Sequence, residues 1–410
     1  MSHYSLRSAK NKGKKQYILV GIICVGVLIG VSYFGYTKWQ KQRVTTKTKP
    51  TPLSTQNESK DRIASLKGRY LLNGTTVWAR QIEKDSLRKD GTYDYAHPFS
   101  QLGTLHREHY DAWSTDFECP ITNNVVSFRE QVDNLVFNCR PEFLNEANKY
   151  FNLYDLANNH TDNQGGAAGL ASTRKYLEQS GAQYFGSFDP SIAKDVCEVV
   201  ALPIRAIKAD GKEEKTALPV AMCAWHYFYR RPNPGEIEVM AEYAKVMPVF
   251  AFVEMGVEYK PVADGIQQEI AHKIIDQGPE FLVANNPHWV QNTEVYKGKL
   301  VVYSLGNFIF DQLDTETQRG ASLDVEATTP YDSNVEAWVN LAQECKAFQD
   351  YCLLQAEKQG LKKIPLSLHY GVVASVGGAR KLTQLADKGT QKAVEERMNW
   401  AVSMKQLGQQ

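Results

Sequence analysis

The sequence lacks the features that would place it in several common classes of protein. Its 47 Lys and Arg residues nearly balance its 46 Asp and Glu residues, so the net charge of +1 argues against nucleic-acid binding through a summed basic field. No Cys-x-x-Cys or Cys-His spacing typical of a zinc site is present. There is no internal repeat, and 43% hydrophobic residues is ordinary for a folded chain. The sequence therefore predicts a globular protein without nucleic acid as a partner.

Long apolar runs are also scarce, with one exception near the N-terminus. Residues 17–36 contain no charged side chain and have roughly the 20-residue length that spans a bilayer core. No clean small-residue cleavage motif follows, so we favour an uncleaved anchor over a signal peptide. Basic residues are more numerous before the segment, which mildly favours an N-terminus inside the cell. We expect a cytoplasmic tail over residues 1–16, a single-pass anchor in the cell membrane and an extracytoplasmic main domain.

Composition divides the rest of the chain. Residues 37–62 are rich in Lys, Thr, Ser, Gln and Pro, which predicts a flexible stalk. From residue 63, short apolar runs alternate with amphipathic stretches, as in a layered α/β or α+β fold. The pattern changes beyond Asp324. We assign residues 63–323 to one domain, and residues 324–410 to a C-terminal helical extension with a long helix over 335–359 and a closing strand over 366–375.

Six of the seven cysteines lie outside the apolar segment. An even number in an oxidising compartment favours disulfides, although the connectivity stays open. Pairing by proximity suggests Cys119 with Cys139, Cys197 with Cys223 across neighbouring strands, and Cys345 with Cys352. Buried free thiols are the alternative.

Polar residues that follow apolar strands predict a functional site. Five loops carry them: Asn73 to Arg80, Asp116 to Pro120, Asn159-His160, Phe252 to Tyr259, and Asn286-Pro287-His288. Open α/β sheets commonly place their sites at the carboxyl ends of strands. An adjacent Asn and His, together with a second His, are parts from which a phosphoesterase-like metal centre is built. The Ser-Leu-Gly-Asn-Phe run near Gly306 is expected to be architectural, with Asn307 bonding its own main chain.

In order and spacing, the motifs DFECP, LANNH, MGVEYK, NPHWVQ and VYSLGNFIFDQ resemble the CapA-like poly-γ-glutamate capsule synthesis protein family, a branch of the calcineurin-like metallophosphatase folds. The resemblance covers roughly residues 70–312. It implies a metallophosphatase-like four-layer sandwich, with two β-sheets flanked by helices. It also implies a role in the biosynthesis or export of a capsule or related anionic polymer. The expected partners are that cell-surface polymer and other membrane components of a synthesis and export complex.

The resemblance assigns roles residue by residue. The expected metal ligands are Glu118, Asn159, Glu254, Asn286 and His288, the expected catalytic residues are His160 and Asn159, and the expected substrate-binding residues are Arg80, Glu258 and Tyr259. Three positions depart from the family pattern: Thr75 replaces an Asp, and Glu254 and Asn286 each replace a His. A hydroxyl cannot bridge two cations as a carboxylate can. The oxygen-rich set that remains favours Mg²⁺, Mn²⁺ or Ca²⁺ as a cofactor, or no metal at all.

These departures leave three interpretations open. The first is a membrane-anchored surface protein of polymer biosynthesis with a degenerate metal site. The second is a divalent-metal-dependent hydrolase or transferase acting on a cell-surface polymer, so that enzymatic activity is undecided. The third is a non-catalytic scaffold that binds polymer or partner proteins. Each site residue also has a plainer interpretation: His160 as a histidine bonded to a backbone carbonyl, Glu258 as a solvated turn residue and Arg80 as a surface charge.

Overall fold

Alternating apolar runs and amphipathic stretches form the strands and helices of a mixed α/β fold. The computed structural model describes residues 62–189, 195–347, 349–378 and 381–409. The strands are β1 Ile63–Thr76, β2 Ala112–Phe117, β3 Leu153–Asp155, β4 Gln183–Phe185, β5 Cys197–Lys208, β6 Glu213–His226, β7 Val249–Glu254, β8 Phe281–Asn285, β9 Thr293–Tyr296, β10 Lys299–Val302, β11 Asn307–Ile309, β12 Arg319–Pro330, β13 Ser367–Gly378 and β14 Lys381–Leu385.

Helices occupy most of the connections. The α-helices are α1 Arg80–Asp85, α2 Phe128–Asp133, α3 Leu144–Ala147, α4 Ala167–Gln179, α5 Val239–Ala244, α6 Gly265–Ile275, α7 Ser333–Ala347, α8 Gln349–Gln359, α9 Lys388–Arg397 and α10 Trp400–Gln406. Short 3₁₀ helices span His97–Phe99, Leu102–Leu105, Arg107–His109 and Pro141–Phe143. The long helix predicted over residues 335–359 is described as two helices, α7 and α8, on either side of residue 348.

The strands of the described residues belong to one hydrogen-bonded network that branches at β1. The main path runs β14-β13-β12-β1-β5-β6-β7-β8-β10-β9. The N-terminal part of β1 pairs antiparallel with β5 and β12, whereas its C-terminal part pairs in parallel with β2 and β11. Strands β2, β3 and β4 continue as a parallel set, and so do β6, β7 and β8. Two groups of parallel strands therefore each present carboxyl ends from which loops can build a site.

Strand β12 corrects the predicted division of the chain. It runs from Arg319 to Pro330 through the boundary placed at residue 324, pairs with β1 on one side and pairs with β13 on the other. The described residues from 62 to 409 form one compact unit. The segment beyond residue 324 is therefore part of the sheet rather than a helical extension of it. Leu323, Val325 and Ala327 alternate with Asp324, Glu326 and Thr328, which is the period-two pattern of a strand with one apolar face, so the sequence held a signal for β12 that the predicted boundary did not use.

Two hydrophobic clusters pack against the sheet. One is built on β5 to β8 and β10 and includes Trp225 and Trp338. The other surrounds β2 and β3 and is rich in aromatic side chains, among them Trp78, Trp113 and Phe117. Aromatic residues bury large apolar areas. The second cluster thus gives a rigid base to strands that are only three to six residues long.

All three disulfides suggested by proximity are present. Cys119 is bonded to Cys139, Cys197 to Cys223 and Cys345 to Cys352. Cys197 and Cys223 are register partners on antiparallel strands β5 and β6, as predicted for neighbouring strands. Cys119 directly follows Glu118, so its disulfide anchors one of the predicted site loops.

The predicted membrane anchor at residues 17–36 and the tail before it lie outside the described residues, as does nearly all of the stalk. Within the described part of the chain, no helix has the length and apolar character needed to cross a membrane.

Candidate functional site

Two rows of register partners bring polar side chains to the carboxyl ends of the parallel strands. Across β1, β2 and β3, Thr75 pairs with Asp116 and Asp116 with Asp155. Across β6, β7 and β8, His226 pairs with Glu254, and Glu254 with Asn285. Register places partners about 5 Å apart along the sheet. Each row is therefore a line of neighbouring polar groups at a strand end.

Thr75 is positioned by the close approach of two loops. Its backbone N–H donates to the Gly306 carbonyl at 3.0 Å. A Cβ atom at Gly74 would lie 2.0 Å from the same carbonyl oxygen, so only glycine fits there. The Ser-Leu-Gly-Asn-Phe run is thus architectural, as predicted, and it holds the end of β1 in place.

Asp116 is buried at the centre of the first row. Thr75 Oγ1 donates to its Oδ2 at 2.7 Å, and Asn158 Nδ2 donates to its Oδ1 at 3.1 Å. Burial raises the pKa of Asp116, and these two hydrogen bonds oppose that rise. Burial also raises the pKa of Asp155 well above its usual range, with the charge of Asp116 adding to the effect. The first row therefore holds the carboxyl groups of Asp116 and Asp155 close together and away from solvent.

Glu254 occupies the corresponding place in the second row. The backbone N–H of Asn159 donates to Glu254 Oε2 at 2.6 Å, and His226 Nε2 lies 3.7 Å from the same oxygen. Burial raises the pKa of Glu254 well above its usual range, and the charges of Asp116 and Glu118 raise it further. The two rows thus face each other closely enough to interact electrostatically.

Glu118 and His160 form the next pair. His160 Nε2 lies 3.8 Å from Glu118 Oε1. Burial raises the pKa of Glu118 to about 7, although the nearby His288 opposes the rise, and burial lowers the pKa of His160 to about 4. At neutral pH the imidazole is therefore uncharged, while the carboxyl group is divided between its two protonation states.

The tautomer of His160 follows from its other nitrogen. Nδ1 lies 2.9 Å from Asn163 Oδ1, which also accepts the Phe137 backbone N–H at 2.8 Å. Because that oxygen is an acceptor, Nδ1 carries the proton and Nε2 presents a lone pair toward Glu118. The Phe137 ring stacks on the imidazole with a centroid separation of 4.0 Å. His160 is thus held as a fixed proton acceptor, and not by a backbone carbonyl as its plainer interpretation supposed.

His288 is oriented in a similar way. Its Nδ1 lies 2.8 Å from Asn307 Oδ1, and its Nε2 lies 3.5 Å from Glu258 Oε1. Burial would lower the pKa of His288, but the contact with Glu258 and the charge of Glu118 outweigh burial and raise it. The same contact lowers the pKa of Glu258. Asn307, which was expected to bond its own main chain, instead orients this histidine.

Backbone strain is concentrated in these loops. Arg80, Tyr259, Asn286 and His288 have φ values of 51°, 58°, 99° and 58°. A non-glycine residue in this region costs roughly 1–2 kcal/mol and persists where surrounding structure imposes it. Asn286 is held by a hydrogen bond from its Nδ2 to the Gly256 carbonyl at 2.6 Å.

Arg80 and Tyr259 form the rim. The Arg80 guanidinium is paired with Asp311 and lies over the rings of Phe137 and Phe310, at 4.6 Å and 4.9 Å from their centroids. Only 12% of its side chain is exposed, so Arg80 is not the free surface charge of the plainer interpretation. Tyr259 is 44% exposed and accepts a hydrogen bond at its hydroxyl from Gln312 Nε2 at 3.0 Å.

The structure thus brings the predicted site residues into one region, and it adds two that the sequence did not single out. Asp116 lies within the quoted motif DFECP but was passed over for Glu118. His226 belongs to no quoted motif. His226 is the last residue of β6 and Asp116 is the next to last residue of β2, at the edge where other predicted residues lie. Functional polar groups commonly lie at the carboxyl ends of parallel strands, so this rule identifies both residues once the ends of β2 and β6 are known.

The donor atoms suit a divalent cation only in part. Asn159 Oδ1 and His226 Nε2 are buried without a hydrogen-bond partner among the described residues, which is a costly arrangement unless a positive group satisfies them. Carboxylate and amide oxygens are suitable ligands for Mg²⁺, Mn²⁺ or Ca²⁺. However, three His, Cys, Asp or Glu ligand atoms lie within 4.8 Å of one another, for the residues described, only at the exposed His106, Glu108 and His109. A cation at the strand ends would therefore need a ligand of another kind, and the unpartnered Asn159 amide oxygen is one that the described residues offer.

Comparison with known proteins gives a consistent set of relatives. The family model for the bacterial capsule synthesis protein PGA_cap matches residues 69–312, which include every predicted site residue. The capsule biosynthesis protein CapA of Bacillus anthracis is 24% identical over 263 residues, 60% of this chain and 61% of that protein. The PGA biosynthesis protein CapA of Bacillus subtilis is 39% identical over 66 residues, 16% of this chain and 17% of that protein. The matched parts are thus less than two thirds of either relative's length.

Among solved structures, the calcineurin-like phosphoesterase YfkN from Bacillus subtilis aligns with 72% of this chain and 99% of its own, at 11% identity and a TM-score of 0.35.

Proposed function

Because the chain belongs to the bacterial capsule synthesis protein family PGA_cap, as its motifs indicated, we propose that it takes part in making, exporting or attaching an anionic cell-surface polymer. Poly-γ-glutamate, or a capsule material related to it, is the polymer that the relatives' names support. The other partners in this proposal are membrane components of a synthesis and export complex, and nucleic acid is not among them. The branched sheet with its two core clusters would be this family's four-layer metallophosphatase-like sandwich.

The proposed site is a degenerate divalent-cation site at the strand ends. The observation that carries this proposal is the buried Asn159 Oδ1, which has no partner among the described residues although its own backbone N–H binds Glu254. Glu118, Glu254 and Asn159 would hold the ion, with His288 nearby and Asn286 shaping the loop. A divalent ion in this place would polarise a carbonyl or phosphoryl oxygen. His160, with its lone pair fixed at Nε2, would accept a proton from an attacking group.

The rim fits an anionic substrate. Arg80 is 12% exposed, is already paired with Asp311 and lies near Tyr259 and Glu118, so an anionic group of the polymer would share its guanidinium with Asp311. Guanidinium groups bind carboxylates with directional hydrogen bonds. Tyr259 and Glu258 would contact the polymer backbone beside it. In this interpretation the protein is a metal-dependent hydrolase or transferase that acts at an amide or phosphate group of the polymer.

We also propose that the main domain lies outside the cytoplasm, anchored by residues 17–36. Its three disulfides support this location, because disulfides persist in oxidising compartments and are rare in the cytosol.

A second candidate is a non-catalytic scaffold that binds the polymer. One observation favours it: the Asn286 amide, at a position expected to supply a metal ligand, is committed to the Gly256 carbonyl. A scaffold of this kind would bind the polymer in the cleft at the strand ends but would not catalyse a reaction there.

Metal analysis of the full-length protein separates the two candidates. We expect the protein, purified without a polyhistidine tag, to retain about one equivalent of a divalent ion after dialysis, and Asn159→Ala and Glu118→Ala to lose it. The exposed Glu344→Ala is the matched control. Cleavage of poly-γ-glutamate that is lost with chelation and restored by Mn²⁺ would support the enzyme. Polymer binding without a retained ion or cleavage would overturn the enzyme and support the scaffold.

A further inference from the structure

His226 is a partly buried histidine, with 19% of its side chain exposed, that neither the motifs nor the family match explains. It is the last residue of β6 and the register partner of Glu254 on β7. Its Nδ1 lies 3.2 Å from the Phe188 carbonyl oxygen. A carbonyl oxygen can only accept, so Nδ1 carries the proton and Nε2 of the neutral ring presents a lone pair. This arrangement, in which one ring nitrogen donates to a carbonyl and the other is bare, is typical of a metal-binding histidine.

The bare nitrogen points to Glu254. Nε2 is buried and has no hydrogen-bond partner among the described residues, and Glu254 Oε2 lies 3.7 Å from it. That separation is too long for a hydrogen bond. It is compatible with two ligands of one ion, because bonds of about 2.0–2.2 Å place two ligand atoms up to about 4.2 Å apart.

A second unpaired atom belongs to the same neighbourhood. Asn159 contacts the same Glu254 oxygen through its backbone N–H, and its Oδ1 is also buried without a partner in the described part of the chain. Buried acceptors are nearly always satisfied. Both acceptors belong to residues that contact Glu254 Oε2, so one cation bound beside that oxygen would satisfy them together.

We propose that His226 Nε2, Glu254 and the Asn159 amide oxygen bind one divalent transition-metal ion. This inference rests on the proposed cation site and names its missing ligand. An imidazole nitrogen among oxygens favours Mn²⁺, Fe²⁺ or Zn²⁺ over Mg²⁺ and Ca²⁺, which prefer oxygen alone. The sequence, in which Glu254 and Asn286 replace histidines, had suggested a hard cation. His226 restores a nitrogen ligand from the neighbouring strand.

The test is a metal titration of the full-length, untagged protein after treatment with a chelator. We expect Mn²⁺ to bind at least tenfold more tightly than Mg²⁺, and His226→Gln to weaken Mn²⁺ binding by about tenfold or more. Pulsed electron paramagnetic resonance of bound Mn²⁺ should detect coupling to an imidazole ¹⁴N nucleus that His226→Gln removes.

His272→Gln is the matched control. His272 is a half-buried histidine on α6 that contacts Glu294 at 2.9 Å, so its substitution breaks a similar pair outside the site. It should leave both the affinity and the spectrum unchanged. If wild type binds Mn²⁺ and His226→Gln binds it equally well with the same ¹⁴N coupling, then only a water satisfies Nε2, and this inference fails while the cation site stands. If wild type binds no divalent ion, the proposed cation site fails, and this ligand fails with it.

Discussion

Thr75 Oγ1 donates a hydrogen bond to Asp116 Oδ2 over 2.7 Å, between register partners on the parallel strands β1 and β2. The hydroxyl at position 75 therefore holds a carboxylate that its neighbouring strand supplies. Asn158 completes the arrangement by donating to the other oxygen. The absence of a carboxylate at position 75 thus does not leave this end of the sheet without one.

Replacing Thr75 by Val should destabilise the protein. Valine has the shape of threonine but removes the donor, which leaves Asp116 Oδ2 buried and with one fewer partner. We expect the free energy of unfolding to fall by about 1–3 kcal/mol, measured by urea denaturation. Thr75→Ser keeps the hydroxyl, so its free energy of unfolding should fall by less than that of Thr75→Val. Equal losses in the two variants would mean that the methyl group, and not the hydrogen bond, is what matters at this position.

The buried Glu118 should make metal-free protein less stable as the pH rises. Its pKa is raised from 4.5 to about 7, so between these values the folded protein binds more protons than the unfolded chain. Stability then falls with rising pH, by about 3 kcal/mol across that interval. Glu118→Gln cannot ionise, so with a chelator present it should be more stable than wild type at pH 8 and similar to it at pH 5.

Urea unfolding at the two pH values checks this, with the exposed Glu344→Gln as a control that should show no pH-dependent difference from wild type. A Glu118→Gln protein that is less stable than wild type at pH 8 would contradict a raised pKa, because it would mean that the folded state favours the charged carboxylate.

The disulfide behind the site should contribute to stability. Cys119 and Cys139 are 20 residues apart, and closing a loop of this size is expected to stabilise by about 3 kcal/mol through the unfolded chain. Cys119→Ser with Cys139→Ser should lower the free energy of unfolding by that amount. Peptide mapping without reductant should recover all three pairs, and a different connectivity would contradict the structure.

Asp311→Asn should destabilise the protein, because it removes the partner of the Arg80 guanidinium. The aspartate pairs with the Arg80 guanidinium, and both side chains are about nine-tenths buried. Removing one partner of a buried pair leaves the other charge uncompensated, so we expect a loss of about 3 kcal/mol in thermal or urea unfolding. Lys149→Gln, which breaks the exposed pair with Glu146, should change stability little. If Asp311→Asn leaves the free energy of unfolding unchanged, the nearby Glu118 already compensates the charge of Arg80.

The sequence predicted local features well wherever one strand or helix carried the signal. The amphipathic pattern over residues 266–276 predicts a helix, and α6 begins one residue earlier, at Gly265, after a cap formed by Asp264 and Gln267. The turn between β5 and β6 lies at Gly211, whose positive φ of 84° requires glycine. These features depend on neighbours in sequence, so sequence patterns report them directly.

Features that depend on pairing between distant strands were harder to predict. His226 acquires its environment from Phe188 on a loop and from Glu254 on the next strand, and no local pattern around residue 226 records either contact. Asp116 was passed over because its partner, Thr75, lies 41 residues earlier in the chain. The residues of the site could be named from motifs, but the contacts that set their protonation and orientation follow from the sheet's register.

Truncation after residue 323 should abolish folding, because β12 is a central strand. Residues Ser322 to Pro330 pair with β1 from Asn73 back to Ser65, and β13 pairs along the other edge of β12. A chain that ends at residue 323 would leave Ser65 to Leu71, half of β1, without partners along one edge, and an unpaired strand edge promotes aggregation. We expect the fragment to be insoluble or to unfold without a cooperative transition, measured by circular dichroism, while co-expression with residues 324–410 restores some soluble protein because the missing strands pair in trans. A soluble fragment with a cooperative transition of its own would mean that residues 63–323 form an independent domain and that β1 does not need β12.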